Sequence, residues 1–276
     1  MAIKTGLIGK PLKRSLSPRL FNIFSGLLDE KFSYTLKEVG PPGLGKAIEE
    51  IKKSGWRGFN VTLPLKERVS PFLAKAHKDA EGIGAVNAVL IRDGALEGFN
   101  TDAKALEYSL KEVKAGVRGV TCVIWGAGGA AKAAAWTLAA RGAGEIRIYN
   151  RSYAKARALA SYFSKQFPRV RFKAGNFFSP VPAKAAVFIN ATPLGMYKPL
   201  PPALKVPDLK TGLYCDFAYA PGGTPFLKDR PGKTITGLDL LIYQALASAA
   251  LWSGRRLSAG EIVKLKNKAR DACLDI

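Results

Sequence analysis

The stretch VTCVIWGAGGAAKAAAWTLAARG, residues 120–142, constrains the fold of this chain more than any other. It begins with an unbroken apolar run, which reads as a strand buried on both faces and so belongs in a parallel sheet. Glycines follow at once, and then an alanine-rich helix. The spacing G-x-G-x-x-A falls on Gly126, Gly128 and Ala131. In that strand–turn–helix setting each position has a physical task. Gly126 makes the tight turn, Gly128 lets backbone approach a pyrophosphate, and Ala131 permits close packing of helix on strand. The helix N-terminus then faces the phosphates. The stretch therefore predicts a doubly wound, dinucleotide-binding unit.

Around it the chain alternates strand and helix patterns. Before it come KTGLIG, SPRLFNIFSGLLDE, KFSYTLKEV, GLGKAIEEIKKSG and RGFNVTLP, a βαβαβ rhythm that predicts a mostly parallel sheet covered by helices. AVNAVLIRDGALEGFN reads as two strands joined at Asp93-Gly94, a strong tight-turn pair. Asn100, Thr101 and Asp102 then open an amphipathic helix. After the glycine loop come the strand-like runs EIRIYN, VRFKA, AAVFIN, GLYCDFAY and KTITG, with a helix over SYAKARALASYFSKQF. The proline- and lysine-rich piece 197–210 reads as a mobile surface loop, and a long helix from Leu238 to Trp252 and a short basic helix close the chain. With 276 residues, 47% of them hydrophobic, two α/β domains are the economical reading. The expected division is 1–102, completed by 239–276, against 103–238. Such a layout sets a cleft between the domains, with domain closure over bound ligands.

Composition narrows the function. No apolar run reaches the length of a membrane span, and the N-terminus lacks the pattern of a secretory signal, so a cytoplasmic protein is expected. The three cysteines are scattered without metal-ligand spacing, which excludes zinc and disulfide frameworks; no metal is expected. The net charge is +22, from 43 Lys and Arg against 21 Asp and Glu. These cations are spread along the chain without aromatic interleaving, which argues for capture of anionic small molecules rather than nucleic acid.

The strand EIRIY ends in Asn150-Arg151-Ser152, while its acid, Glu145, lies at the other end. An arginine at that position suits the 2′-phosphate of NADP, where a carboxylate would suit NAD; Lys155 adds a second charge one turn on. Reduction of a ketone by a nicotinamide needs a proton donor. The one histidine, His77, sits in a polar helical stretch, AKAHKDAEG, and reads as a solvated surface residue. A lysine is the remaining candidate, since burial readily lowers the pKa of an amine. Lys66 follows the strand RGFNVTLP, read as ending at Pro64, and strand carboxyl ends are where ligands sit in open α/β sheets.

Several short motifs, in order along nearly the whole chain, resemble those of the shikimate dehydrogenase family. They are SLSP (15–18), NVTLPLK (60–66), IGAVNA (83–88), GFNTD (98–102), GAGGAA, NRS, NATPLGM (190–196), DFAYAPGGTPF (216–226) and GLDLLIYQ (237–244). The resemblance implies reduction of 3-dehydroshikimate to shikimate with NADPH in aromatic amino-acid biosynthesis. It implies Lys66 as the catalytic lysine and Asp102 as its acidic partner. Ser15 and Ser17 would hold the substrate carboxylate, and Thr62, Asn87, Tyr219 and Gln244 would be further substrate ligands. Gly126, Ala127, Gly128, Gly129, Ala130, Asn150, Arg151, Ser152, Lys155, Thr192 and Gly237 would face the cofactor. A small carboxylate with three hydroxyls calls for neutral donors and acceptors of this kind.

The chain departs from the family pattern at Phe21 and Leu65, where histidines are common, at Ala88 in place of threonine, and at Leu240 in place of methionine. These changes leave shikimate against quinate open. The alternatives are a quinate/shikimate dehydrogenase with relaxed substrate or cofactor choice, and a non-enzymatic sensor or nucleic-acid-binding member of the fold. A monomer or homodimer is expected.

Overall fold

A computed structural model of the chain describes residues 1–182, 184–196, 198–201, 204, 206–209, 212–220 and 222–274. The chain divides into two compact units, Met1–Ala105 with Leu241–Ile276, and Leu106–Leu240.

The first unit begins β1 (Ile3–Gly9), α1 (Ser17–Leu27), β2 (Phe32–Glu38), α2 (Leu44–Lys53) and β3 (Gly58–Val61). It continues through β4 (Lys75–Ala76), α3 (Lys78–Ile83), β5 (Ala88–Arg92), β6 (Ala95–Phe99) and the start of α4 (Thr101–Glu112). Its sheet has the order β2-β1-β3-β5-β6-β4. β1 pairs parallel with β2 and β3, while β5 runs antiparallel to β3 and β6. The β5–β6 turn is Asp93-Gly94, both with left-handed φ (50° and 76°), as a two-residue hairpin requires. α2 shows how the helices seat themselves. Leu44, Ala47, Ile48 and Ile51 fall on one face and are buried against Phe59, Val61 and Val89 of the sheet, while the charged residues stay outside. Burying each of the three large aliphatic chains contributes about 1.5–3 kcal/mol.

The second unit contains β7 (Thr121–Trp125), α5 (Gly129–Ala140), β8 (Glu145–Tyr149), α6 (Tyr153–Gln166) and β9 (Arg171–Gly175). The chain then crosses to β10 (Ala185–Asn190), β11 (Leu213–Asp216) and β12 (Lys233–Ile235), and leaves through α7 (Gly237–Ser253), whose later turns and α8 (Ala259–Leu274) belong to the first unit. All six strands are parallel, in the order β12-β11-β10-β7-β8-β9. The order reverses between β7 and β10, which is the switch point where doubly wound sheets bind ligands. No described helix is long and apolar enough to cross a membrane.

Four local readings change. The strand expected to run to Pro64 stops at Val61, because Thr62 to Leu65 form a turn in which Leu65 N–H donates to the Thr62 carbonyl at 2.9 Å. The closing basic helix, α8, is not short: it runs 16 residues. His77 is exposed, as expected, but precedes α3 rather than lying within a helix, and it stacks on Phe99 at 3.9 Å. The expected surface loop 197–210 lies partly outside the described residues. Its Leu204 and Leu209 are buried with Phe188, Tyr214 and Phe226, so this proline-rich piece covers core.

Candidate active site

The turn after β3 brings Lys66 back toward the sheet, where its carbonyl accepts a bond from Val86 N–H at 2.8 Å. Lys66 Nζ meets Asp102 Oδ2 at 2.5 Å, and the two side chains are only 18% and 10% exposed. Asp102 lies in the first turn of α4, where the helix dipole favours negative charge. Asn87, just before β5, donates to the other carboxylate oxygen, Asp102 Oδ1, at 2.8 Å. Asn87 is fixed in turn by Thr101, whose backbone N–H donates to Asn87 Oδ1 at 2.6 Å. Lys66, Asp102 and Asn87 are thus brought together, and each is held by a second contact. The arrangement sets a lysine amine, a group suited to proton transfer, against a carboxylate locked in one orientation.

Ser15 and Ser17 lie on the chain leaving the carboxyl end of β1. Ser17 N–H donates to Ser15 Oγ at 3.3 Å, and Pro18 sits in the first turn of α1. Thr62 is half-buried at the neighbouring end of β3, with its N–H on the Ile8 carbonyl at 2.9 Å. Gln244, on α7, turns its amide onto its own helix, donating to the Leu241 carbonyl at 3.0 Å. Tyr219 belongs to the second unit, where it is half-buried in the loop after β11.

In the second unit Gly126 has φ of 115°, and a Cβ there would lie 2.7 Å from the Ala191 carbonyl oxygen. Only glycine makes that turn. Gly128 is extended just ahead of α5, and a Cβ there would meet nothing within 4 Å, so the backbone faces open space. Gly129 and Ala130 form the first turn of α5, where backbone N–H groups lack helical partners. Ala131 is fully buried against the sheet. Asn150 Nδ2 donates to the Ser152 carbonyl at 3.1 Å, and Arg151, Ser152 and Lys155 are exposed at the carboxyl end of β8 and the start of α6. Glu145, at the other end of β8, is raised by burial but held below the usual carboxylate range by Arg147 and Lys173. Thr192 follows β10, with its hydroxyl on Asn190 Oδ1 at 2.6 Å. Gly237 opens α7, packed tightly on Ala218. The open glycine loop, the free helix N-terminus and the exposed arginine fit a phosphorylated dinucleotide.

Residues beyond those foreseen support both places. Asn60 accepts from Tyr34 Oη at 2.9 Å and donates to the Asn87 carbonyl at 3.0 Å and to Ser248 Oγ at 2.9 Å. In the second unit Asp216 and Asn190 bond each other at 2.8 Å. Asn60, Thr101, Asn190 and Asp216 all lie inside the quoted motifs, a signal that could have marked them. Tyr34 and Ser248 carry no such signal.

A parallel sheet with an open glycine loop at its switch point, in one chain with a half-buried lysine paired to a buried aspartate, defines a dinucleotide-dependent oxidoreductase. Residues 7–89 match the family model of the shikimate dehydrogenase substrate binding domain, and residues 109–177 that of shikimate/quinate 5-dehydrogenase. The chain belongs to the shikimate dehydrogenase family. It is 37% identical to the shikimate dehydrogenase (NADP(+)) of Caldanaerobacter subterraneus subsp. tengcongensis over 90% of this chain and 91% of that one. Among solved structures it is similar to shikimate 5-dehydrogenase from Thermus thermophilus in complex with NADP(H) and shikimate, with 31% identity, a TM-score of 0.79 and coverage of 98% and 100%. It is also similar to ligand-free 5-ketofructose reductase of Gluconobacter sp., with 31% identity, a TM-score of 0.80 and coverage of 97% and 98%. The fold alone therefore does not choose the substrate.

Proposed function

We propose that this chain catalyses the reversible, NADPH-dependent reduction of 3-dehydroshikimate to shikimate. The observation that carries the reading is the Lys66–Asp102 contact at 2.5 Å, with Asn87 on the remaining carboxylate oxygen. When bound, NADPH supplies the hydride. Lys66 Nζ delivers a proton to the ketone oxygen as the carbonyl carbon is reduced, the carbonyl π pair going to that oxygen. Lys66 regains its proton from water, and Asp102 keeps the amine aimed throughout. Ser15 and Ser17 receive the substrate carboxylate, and Thr62, Asn87, Gln244 and Tyr219 are the further substrate ligands. Gln244 then has to release its own helix carbonyl, a rotamer change within reach of a half-buried side chain. Gly126 to Ala130, Asn150, Arg151, Ser152, Lys155, Thr192 and Gly237 hold the cofactor, with Arg151 as the fork for the 2′-phosphate.

We read the chain as a cytoplasmic monomer or homodimer, which light scattering on the purified protein distinguishes. The function is tested by following nicotinamide absorbance with shikimate or quinate, each against NADP or NAD. Turnover with shikimate and NADP, well above the other three pairs, is the expected result. Silence in all four would overturn the reading.

A further inference from the structure

The buried carboxylate of Asp216 has no task in the chemistry just described. It ends β11, is fully buried, and is surrounded by neutral donors. Oδ1 accepts from Asn190 Nδ2 at 2.8 Å and from Ala218 N–H at 2.9 Å, and Oδ2 accepts from the Thr224 hydroxyl. Asn190 is also fully buried and likewise holds the loop that follows its own strand. Its Oδ1 accepts both the N–H and the hydroxyl of Thr192, at 3.1 and 2.6 Å, and its Nδ2 reaches the Leu194 carbonyl at 3.2 Å. One Asp–Asn contact therefore ties the loop after β10 to the loop after β11.

The tie extends to a third segment. A Cβ on Gly237, at the start of α7, would lie 2.1 Å from the Ala218 carbonyl oxygen and 3.0 Å from Tyr219 N, so α7 begins pressed against the turn that Asp216 holds. A Cβ on Gly195, whose φ is 88°, would lie 3.5 Å from Thr224 Cβ, so that loop passes close to Thr224. The three segments carry Thr192, Tyr219 and Gly237, and they converge on the carboxyl edge of the sheet next to the β7 glycine loop. Ala191 N–H bonds the Trp125 carbonyl there at 2.8 Å.

A carboxylate buried among neutral donors costs desolvation that no opposite charge offsets, so it is a poor choice for stability alone. What it does well is accept several bonds at fixed angles. We propose that Asp216, through Asn190 and Thr224, is a positioning residue that sets the segments carrying the cofactor contacts Thr192 and Gly237 in the arrangement a dinucleotide requires. This deepens the function proposed above and rests on its use of NADP.

The test is NADP affinity of the full chain by calorimetric titration, with thermal midpoints measured in parallel. Asp216→Ala is expected to weaken NADP binding at least about tenfold. Asp216→Asn keeps both acceptor bonds on Oδ1, and the Thr224 hydroxyl can turn to accept from the new amide, so affinity should return to within about threefold of wild type. Phe163→Leu, in the core of α6 away from these loops, controls for lost stability; it should lower the midpoint yet leave affinity unchanged. Should Asp216→Ala not fold, Thr224→Ala removes one arm of the same tie and should weaken NADP about threefold. Equal affinity in wild type and Asp216→Ala would overturn the inference while leaving the proposed function standing. So would a loss in Asp216→Ala no greater than in Phe163→Leu at matched midpoint, or a loss that Asp216→Asn fails to repair. A wild-type chain that binds no NADP would instead remove the proposed function, and this inference with it.

Discussion

The two places where chemistry gathers in this chain are built on opposite plans. Around Lys66 the site consists of side chains fastened to side chains: Asp102 holds the amine, Asn87 holds Asp102, and Thr101 holds Asn87. Asp102, Asn87 and Thr101 are buried, Lys66 is half-buried, and all are already in register. Around Gly126 the site consists of backbone and open space. Gly128 gives room, the first turn of α5 gives N–H groups, and the charged residues, Arg151 and Lys155, stand in solvent. The difference follows from the tasks. In the function proposed above a proton is delivered along one line, which a donor fixed before the substrate arrives would serve. A long phosphorylated ligand is held by many contacts, and exposed cations can still order themselves on it.

The comparison breaks most sharply at Lys66. Lys66→Ala should lower kcat by about 10³-fold, within the usual range for a lost general acid, while NADP affinity stays within about twofold. A parallel loss of NADP binding in calorimetry would show that the two places are not separable. Next is a pH effect confined to the second unit. Burial raises the Asp216 carboxyl to about 7, against hydrogen bonds from Thr224, Ala218 and Asn190 that act the other way. The folded chain then keeps a proton that the unfolded chain releases near pH 4. Stability is therefore lost as pH rises from about 4 to 7, and the full cost stands above 7. Asp216→Asn should remove on the order of 2–3 kcal/mol of that slope, seen as a smaller fall in denaturation free energy between pH 5 and 8. An unchanged slope would place the titration elsewhere.

Arg151→Ala should raise KM for NADP by about tenfold, leave KM for NAD nearly unchanged and leave kcat intact, as expected for an exposed charge-assisted contact. A fall in kcat instead would tie the exposed cradle to the chemistry. The smallest effect belongs to Ser248→Ala. It removes the bond to Asn60, which lies three contacts from the amine through Asn87 and Asp102, together with the 3.5 Å approach to Thr101 Oγ1 and the bond to the Gln244 carbonyl, and should cost about threefold in kcat with KM for NADP unmoved. A tenfold loss would mean that the Asn60 network aims the pair as directly as Asn87 does.

Much of this was legible in the sequence because it is local. The strand, glycines and helix of residues 120–142 read directly, since the tight strand-to-helix turn calls for the positive φ of Gly126, 115°, whatever packs beside it. The Asp93-Gly94 hairpin read directly for the same reason, and the motif NVTLPLK marked Lys66. The proline-rich piece 197–210 misled, because proline and lysine report a chain without regular structure and say nothing about what that chain covers. Leu204 and Leu209 are buried because an aromatic cluster lies beneath them. Gln244 was legible as a polar helix residue, but its amide direction was not, since the choice between its own carbonyl and a ligand is made by what stands opposite.

The sequence by itself determined most of the elements and the glycine loop, because these follow from spacings of a few residues; Lys66 and Asp102, 36 residues apart, it marked as a pair only through motifs that resemble a family's. Only the tertiary structure decided which distant groups hold them. Tyr34 and Ser248 reach Asn60 across 26 and 188 residues, and Asp216 meets Asn190 across 26. A hydrogen bond forms where two backbones converge, and that convergence is set by how sheets and helices bury their apolar faces, a sum over the whole unit that no short stretch contains.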